Sequence, residues 1–159
     1  MESTKIFPVS IIMEKRPPAN QWADAYWKAA GIIMGEREET ETTLLRELGD
    51  TQHYLIPGFK VRLYKDQCES YYHNMKSPQP SCYIIAYKHE NAMPEPFLVS
   101  MSFDEAHAYL EGDEEVYSIP VPPELYQGTE TFVLDNYFPE KKIKRKLKNW
   151  KQGGGNVRA

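Results

Sequence analysis

Apolar residues recur at every second position near the start of the chain. Phe7, Val9, Ile11 and Met13 alternate with Pro8, Ser10, Ile12 and Glu14. A period of two predicts a strand with one buried face. The run Arg16-Pro17-Pro18-Ala19-Asn20 ends it, because neither proline can donate to a ladder. A second extended segment is predicted over 26–34. Residues 35–50 are polar and charged and read as an exposed loop with one turn near 44–48. His53-Tyr54-Leu55-Ile56 begins another strand, and Pro57-Gly58 punctuates it. Phe59, Val61 and Leu63 then alternate with Lys60, Arg62 and Tyr64, as in a half-buried strand. Asp66-Gln67 reads as a turn and 68–75 as the return strand of a hairpin, with Ser77-Pro78-Gln79-Pro80 as a rigid reversal. A β-prone strand follows over 81–89, placing Tyr83, Ile85 and Tyr87 on one face. A further short strand is predicted over 97–101.

Helical signals come last. Ser102 with Glu105 three residues later forms a capping box, Phe103, Ala106, Tyr109 and Leu110 recur at helical spacing, and Gly112 closes the element. After an extended segment at 116–121, Pro122-Pro123-Glu124 opens a second helix with Leu125, Phe132, Val133 and Tyr137 on one face, ended by Pro139. The expected fold is a β-rich α+β domain. About six short antiparallel strands form a curled sheet or small barrel, with one small helix and a C-terminal helix. Residues 1–138 are expected to form one globular domain and 139–159 a flexible basic tail.

Composition fits that picture. The chain has 159 residues, 13% of them aromatic, 11 of these being Tyr, which favours strands and contact surfaces over a helical bundle. No apolar run is long enough to span a bilayer, and the first residues lack a secretory pattern, so a cytoplasmic protein is expected. Cys68 and Cys82 are read as ordinary thiols. On the hairpin reading Cys82 lies opposite Tyr72, so a disulfide is not expected. Residues 139–159 carry eight Lys or Arg against one Glu, a formal +7, while the whole chain is −4. This is an acidic domain with a basic end.

Known reaction signatures are missing. No GxxxxGK[ST], GxGxxG, GxSxG or HExxH motif occurs, and Gly153-Gly154-Gly155 follows no strand and opens no helix. His53, His73, His89 and His107 match no ligand spacing, so neither a metal nor another cofactor is called for. Asp104, Glu105, Asp113, Glu114 and Glu115 read as helix-end charges rather than a catalytic pair. Recognition fits better than chemistry. Trp, Tyr and Arg dominate interface hot spots, and Arg16, Asn20, Trp22, Trp27, Tyr71, Tyr72 and Asn74 are the candidate partner-binding residues. Of these, Trp27 is the more natural core residue, and Asn74 is also explained as a turn residue bonding its own backbone. Lys141, Lys142, Lys144, Arg145, Lys146 and Lys148 form the basic tail, with Ile143, Leu147 and Trp150 on one side if helical. Such a segment suits a solvated extension, an anionic surface or nucleic-acid phosphates. The acidic domain makes nucleic acid an unlikely partner.

As a set, these residues resemble an uncharacterised bacterial family encoded beside genes for molybdenum- or tungsten-dependent formate dehydrogenases. Its members often carry the label molybdopterin-guanine dinucleotide biosynthesis protein A. The resemblance runs over about residues 6–148. It rests on Glu14-Lys15-Arg16-Pro17, Asn20-Gln21-Trp22 with Trp27, Pro57-Gly58-Phe59, Tyr71-Tyr72 with Asn74, Ser77-Pro78 with Pro80, and Pro120-Val121-Pro122-Pro123-Glu124. Lys15 and the doubled Pro17-Pro18 depart from it. The nucleotidyltransferase label does not fit the residues: a phosphate cradle needs free backbone N–H groups after the first strand, where this chain has Pro17-Pro18. The resemblance implies a non-enzymatic accessory or maturation factor that binds a formate dehydrogenase subunit or its maturation proteins. The alternatives are a small-molecule or molybdenum-cofactor carrier and a nucleic-acid-binding regulator acting through the tail.

Overall fold

A computed structural model of the protein describes residues 3–137. Among these residues, seven strands form two antiparallel sheets. Strands β1 (Ser3–Arg16), β2 (Tyr26–Met34), β3 (Thr43–Leu48) and β4 (Thr51–Tyr64) make the first, in the order β2-β1-β4-β3. Strands β5 (Ser81–Tyr87), β6 (Glu95–Ser100) and β7 (Glu114–Pro120) make the second, in the order β6-β5-β7. Three α-helices join them among the described residues: α1 (Cys68–Lys76), α2 (Phe103–Tyr109) and α3 (Pro123–Asn136). The β-rich α+β class holds. The expected single curled sheet or barrel does not, because the strands divide into two sheets that enclose one core without closing on each other.

That core takes Phe7, Val9, Ile11 and Met13 from β1, the face that the alternation predicts. Val61 and Leu63 from β4 and Cys82, Ile84 and Val99 from the second sheet oppose them. Tyr71 from α1 and Leu125, Phe132 and Val133 from α3 close one end. Tyr83, Ile85 and Tyr87 do share a face of β5, but it is the outer one, where α2 packs and Tyr83 meets the Phe103 ring at 6.0 Å. Both thiols are free and buried. Burial pushes the Cys82 thiol up to about 12 and raises that of Cys68.

Three expectations change. Residues 68–75 form helix α1 and not a return strand, so the hairpin that set Cys82 opposite Tyr72 does not exist. The strand propensity of Tyr71-Tyr72 is outweighed by helical spacing: Cys68, Tyr71, Tyr72 and Met75 stand at i, i+3, i+4 and i+7, and all four pack on the core. Part of the supposed loop at 35–50 is strand β3, with all six residues exposed. Pro57-Gly58 does not end a strand. It forms a bulge inside the 14-residue β4, where the register against β1 shifts between Val9 and Ile11 and Gly58 takes φ +92.

Strands β2 and β3 are the two edges of one sheet, so their connection must cross β1 and β4. Its first residues line a hollow with Pro8, Ser10 and Pro57–Lys60. That passage explains why Ser10, on the side of β1 away from the core, is only 1% exposed. The α2 cap forms as predicted: Ser102 Oγ accepts from Glu105 N–H at 3.0 Å. The reciprocal half runs through Ser100, which accepts from Ser102 N–H at 2.9 Å and donates to the Glu105 carboxylate at 2.6 Å.

Candidate functional site

The β1–β2 turn is built by Asn20. Its Oδ1 accepts from Trp22 N–H at 2.9 Å and its carbonyl from Ala23 N–H at 3.2 Å, an Asx-type turn. The turn lifts Trp22 clear of the protein: its side chain is 83% exposed. Two residues later the chain enters the lip of a hollow of about 800 Å3. Its walls are aromatic. Trp27 and Tyr54 lie 5.8 Å apart, Tyr26 and Tyr117 join them, and residues 88–94 form the far rim. Lys15 carries its ammonium 5.7 Å over the Trp27 ring. Across the mouth Asn91, in the left-handed region at φ 59, sets its side-chain amide against both oxygens of Asp24, with the NH2 turned to donate to them. The β1–β2 and β5–β6 loops are thereby latched together. The Tyr117 hydroxyl donates to the Glu115 carboxylate. Burial first, and that carboxylate second, raise the phenol above its ordinary range.

A row of charged side chains crosses the other face of the sheet. Lys28, Glu14, His53 and Arg46 stand in direct register on β2, β1, β4 and β3. Glu14 is 7% and His53 9% exposed. Arg46 Nε can only donate, so the His53 Nδ1 it reaches at 2.9 Å must accept. The ring proton therefore sits on Nε2, which donates to Glu14 at 2.8 Å. Arg16 Nε donates to the other Glu14 oxygen. The hydrogen bond from His53, then the hydrogen bond and charge of Arg16, hold the Glu14 carboxyl below its usual value against the opposing effect of burial. With both His53 nitrogens engaged, the row is a strut across four strands and leaves no free imidazole nitrogen for proton transfer.

The predicted recognition residues fall into two groups at opposite ends of β1, roughly 40 Å apart at 3.3 Å per residue. Arg16, Asn20, Trp22 and Trp27 gather at the hollow. Trp27 is half-buried and packs on the core while keeping its ring in the wall. Tyr71, Tyr72 and Asn74 sit on α1, beyond Tyr64, which pairs with Ser3 at the other end. There the surface reading fails for two of them. Tyr71 is 1% exposed, with its hydroxyl accepting from Tyr64 N–H at 2.9 Å. Asn74 is 6% exposed, and its partners lie on other elements rather than in its own turn. Tyr72 is half-buried against Tyr137, ring centroids 5.1 Å apart. Lys141, Lys142, Lys144, Arg145, Lys146 and Lys148 lie outside the described residues. Sequence reasoning missed Tyr54, Tyr117 and the rim at 88–94, whose approach to Trp27 depends on strand pairing between distant segments. Among the described residues no group of three or more His, Cys, Asp or Glu side chains is placed to hold a metal ion, and no helix is long and apolar enough to cross a membrane.

Fold and site together define a two-sheet β-rich domain with an open aromatic hollow at one end. The chain belongs to the family described as "Protein of unknown function (DUF3305)", whose model matches residues 8–146. No curated protein and no solved structure matches it.

Proposed function

We propose that the protein is a non-catalytic binding module that receives an extended segment of a partner protein across the aromatic hollow, with Trp22 as the projecting anchor. The observation that carries this reading is Trp22 itself, 83% exposed on a hydrogen-bonded turn beside a hollow walled by Trp27 and Tyr54. A large apolar ring exposed to water costs solvation and repays it on contact, the behaviour of an interface hot spot. On the resemblance to the family encoded beside formate dehydrogenase genes, the partner proposed is a formate dehydrogenase subunit or one of its maturation proteins, met in the cytoplasm. Trp22→Ala should leave the thermal midpoint within about 2 °C of the parent. It should weaken capture of the formate dehydrogenase catalytic subunit from the native host about 30-fold, the cost of losing a Trp anchor. Equal recovery by parent and variant would remove the hollow from the reading.

The size of the same hollow, about 800 Å3, supports a second reading, a small-molecule or molybdenum-cofactor carrier, since such sites run to roughly 300–1,000 Å3. Calorimetry with molybdopterin and with nucleotides separates the two. Heat of binding abolished by Trp27→Ala favours the carrier, and none favours the partner module.

A further inference from the structure

Strand β3 ends the four-stranded sheet and pairs with β4 alone. Its six residues are all exposed, and Leu44, Leu45 and Leu48 keep 46%, 42% and 57% of their surface in solvent. A sheet edge offers a row of backbone N–H and C=O groups to any extended chain, and proteins blunt it with Pro, Lys or a cover. β3 contains neither Pro nor Lys. Its one cation, Arg46, is spent on His53, to which Nε donates at 2.9 Å. Carboxylates stand along the whole edge: Glu41 two residues before β3, Glu47 within it and Asp50 two residues after it, all exposed. Among the described residues none of these three is in a salt bridge. Over residues 35–50, Glu36, Glu38, Glu39, Glu41, Glu47 and Asp50 stand against Arg37 and Arg46, a formal −4.

We propose that this edge takes an extended basic segment of a partner protein, which adds to the sheet as a fifth strand. Charge decides among the occupants. A second copy of the chain would set −4 against −4 across about 5 Å, the spacing of paired strands, and like charges so placed oppose pairing. A neutral apolar strand would cover the three leucines but leave Glu41, Glu47 and Asp50 beside it without counter-charge. A segment in which Lys or Arg alternates with aliphatic residues meets both needs. Its apolar side chains lie over Leu44, Leu45 and Leu48, and its cations face the carboxylates. Main-chain pairing supplies the affinity of such strand addition, and the charge selects the partner. The aromatic hollow is lined by no residue of β3, so this surface is separate from the one that Trp22 marks and does not depend on it.

The probe is the synthetic peptide acetyl-Lys-Ile-Lys-Val-Lys-Ile-Lys-amide, added to the nitrogen-15 full chain. Binding should shift the amide signals of residues 43–48 and slow their exchange with deuterium. Three changes should each weaken it about tenfold. They are glutamate for every lysine of the peptide, N-methylation of its three central residues, and Leu45→Lys with Leu48→Lys in the protein, two exposed sites that spare the core. Trp22→Ala should leave it unchanged. The N-methylated peptide keeps every charge, so equal binding by it would reduce the effect to general attraction and overturn strand addition. Equal binding by the glutamate peptide would overturn the choice of partner by charge. No binding, shifts confined to other elements, or loss with Trp22→Ala would overturn the edge as the site. A free chain that sediments as a dimer, dissociated by Leu45→Lys with Leu48→Lys, would assign the edge to a second copy and overturn the proposal.

Discussion

Asn74→Ala should destabilise the domain by about 3 kcal/mol without touching any binding surface. Asn74 Nδ2 donates to the Ser81 carbonyl at 2.8 Å and to the Met101 carbonyl at 3.0 Å. Its Oδ1 accepts from Ser81 N–H at 3.0 Å. One side chain therefore pins α1 to the start of β5 and to the residue that follows β6. Alanine leaves a donor and two acceptors without partners, each costing about 1–3 kcal/mol when buried. Met101 is 0% exposed and bears the full cost, whereas half-buried Ser81 can recruit water, which brings the sum to about 3 kcal/mol. That is a large share of a typical domain stability of about 5–15 kcal/mol. Urea unfolding should show a lower midpoint at unchanged slope, and the melting temperature should fall by about 10 °C. Asn74→Asp keeps the shape but turns an oxygen toward two carbonyls, so it should cost at least as much at neutral pH. A loss below about 0.5 kcal/mol for Asn74→Ala, especially with impaired partner capture, would refute this account and return Asn74 to recognition.

Glu14 predicts the acid limb of stability. Its folded carboxyl lies below the ordinary 4.5, so the row contributes stability above that pH and loses it as pH falls through the depressed value. Glu14→Gln should cost about 2 kcal/mol at pH 7 and flatten the stability profile as pH falls below the ordinary carboxylate value; an unchanged acid slope in urea melts at stepped pH would contradict the row. At Gly128 an added Cβ would lie 2.2 Å from Phe7 Cζ. Gly128→Ala should therefore lose roughly 1 kcal/mol by calorimetry, overpacking outweighing the gain in helix propensity, and a stabilised variant would show that the Phe7 ring yields freely.

What the sequence made legible was local. The β1 alternation, the Ser102 cap and the Pro123 helix start each depend on neighbours within a few residues, and each is found where expected. What it hid depends on pairing across distance. Residues 68–76 satisfy the rules of a strand by composition and of a helix by spacing, and burial against α3 decides for the helix. Pro57-Gly58 looks like an end until a partner strand absorbs it as a bulge. At the site, the exposed loop carrying Asn20 and Trp22 was visible in the sequence. Its facing wall, Tyr54, Tyr117 and residues 88–94, was not, and Tyr71 and Asn74 look like surface residues only until α1 is seen to bury them.

The strand order of the larger sheet also carries a consequence for how the chain reaches this state. β1 with β2, and β3 with β4, pair across connections of nine and two residues, whereas the central seam joins residues as far apart as Ser3 and Tyr64. Local pairs close cheaply and distant ones late. The seam is where folding waits: two preformed hairpins must meet along β1 and β4 before the core has walls. Trimming Ile11 to Val should then slow refolding nearly as much as it lowers stability. Leu45→Val, outside the seam, should leave the refolding rate alone.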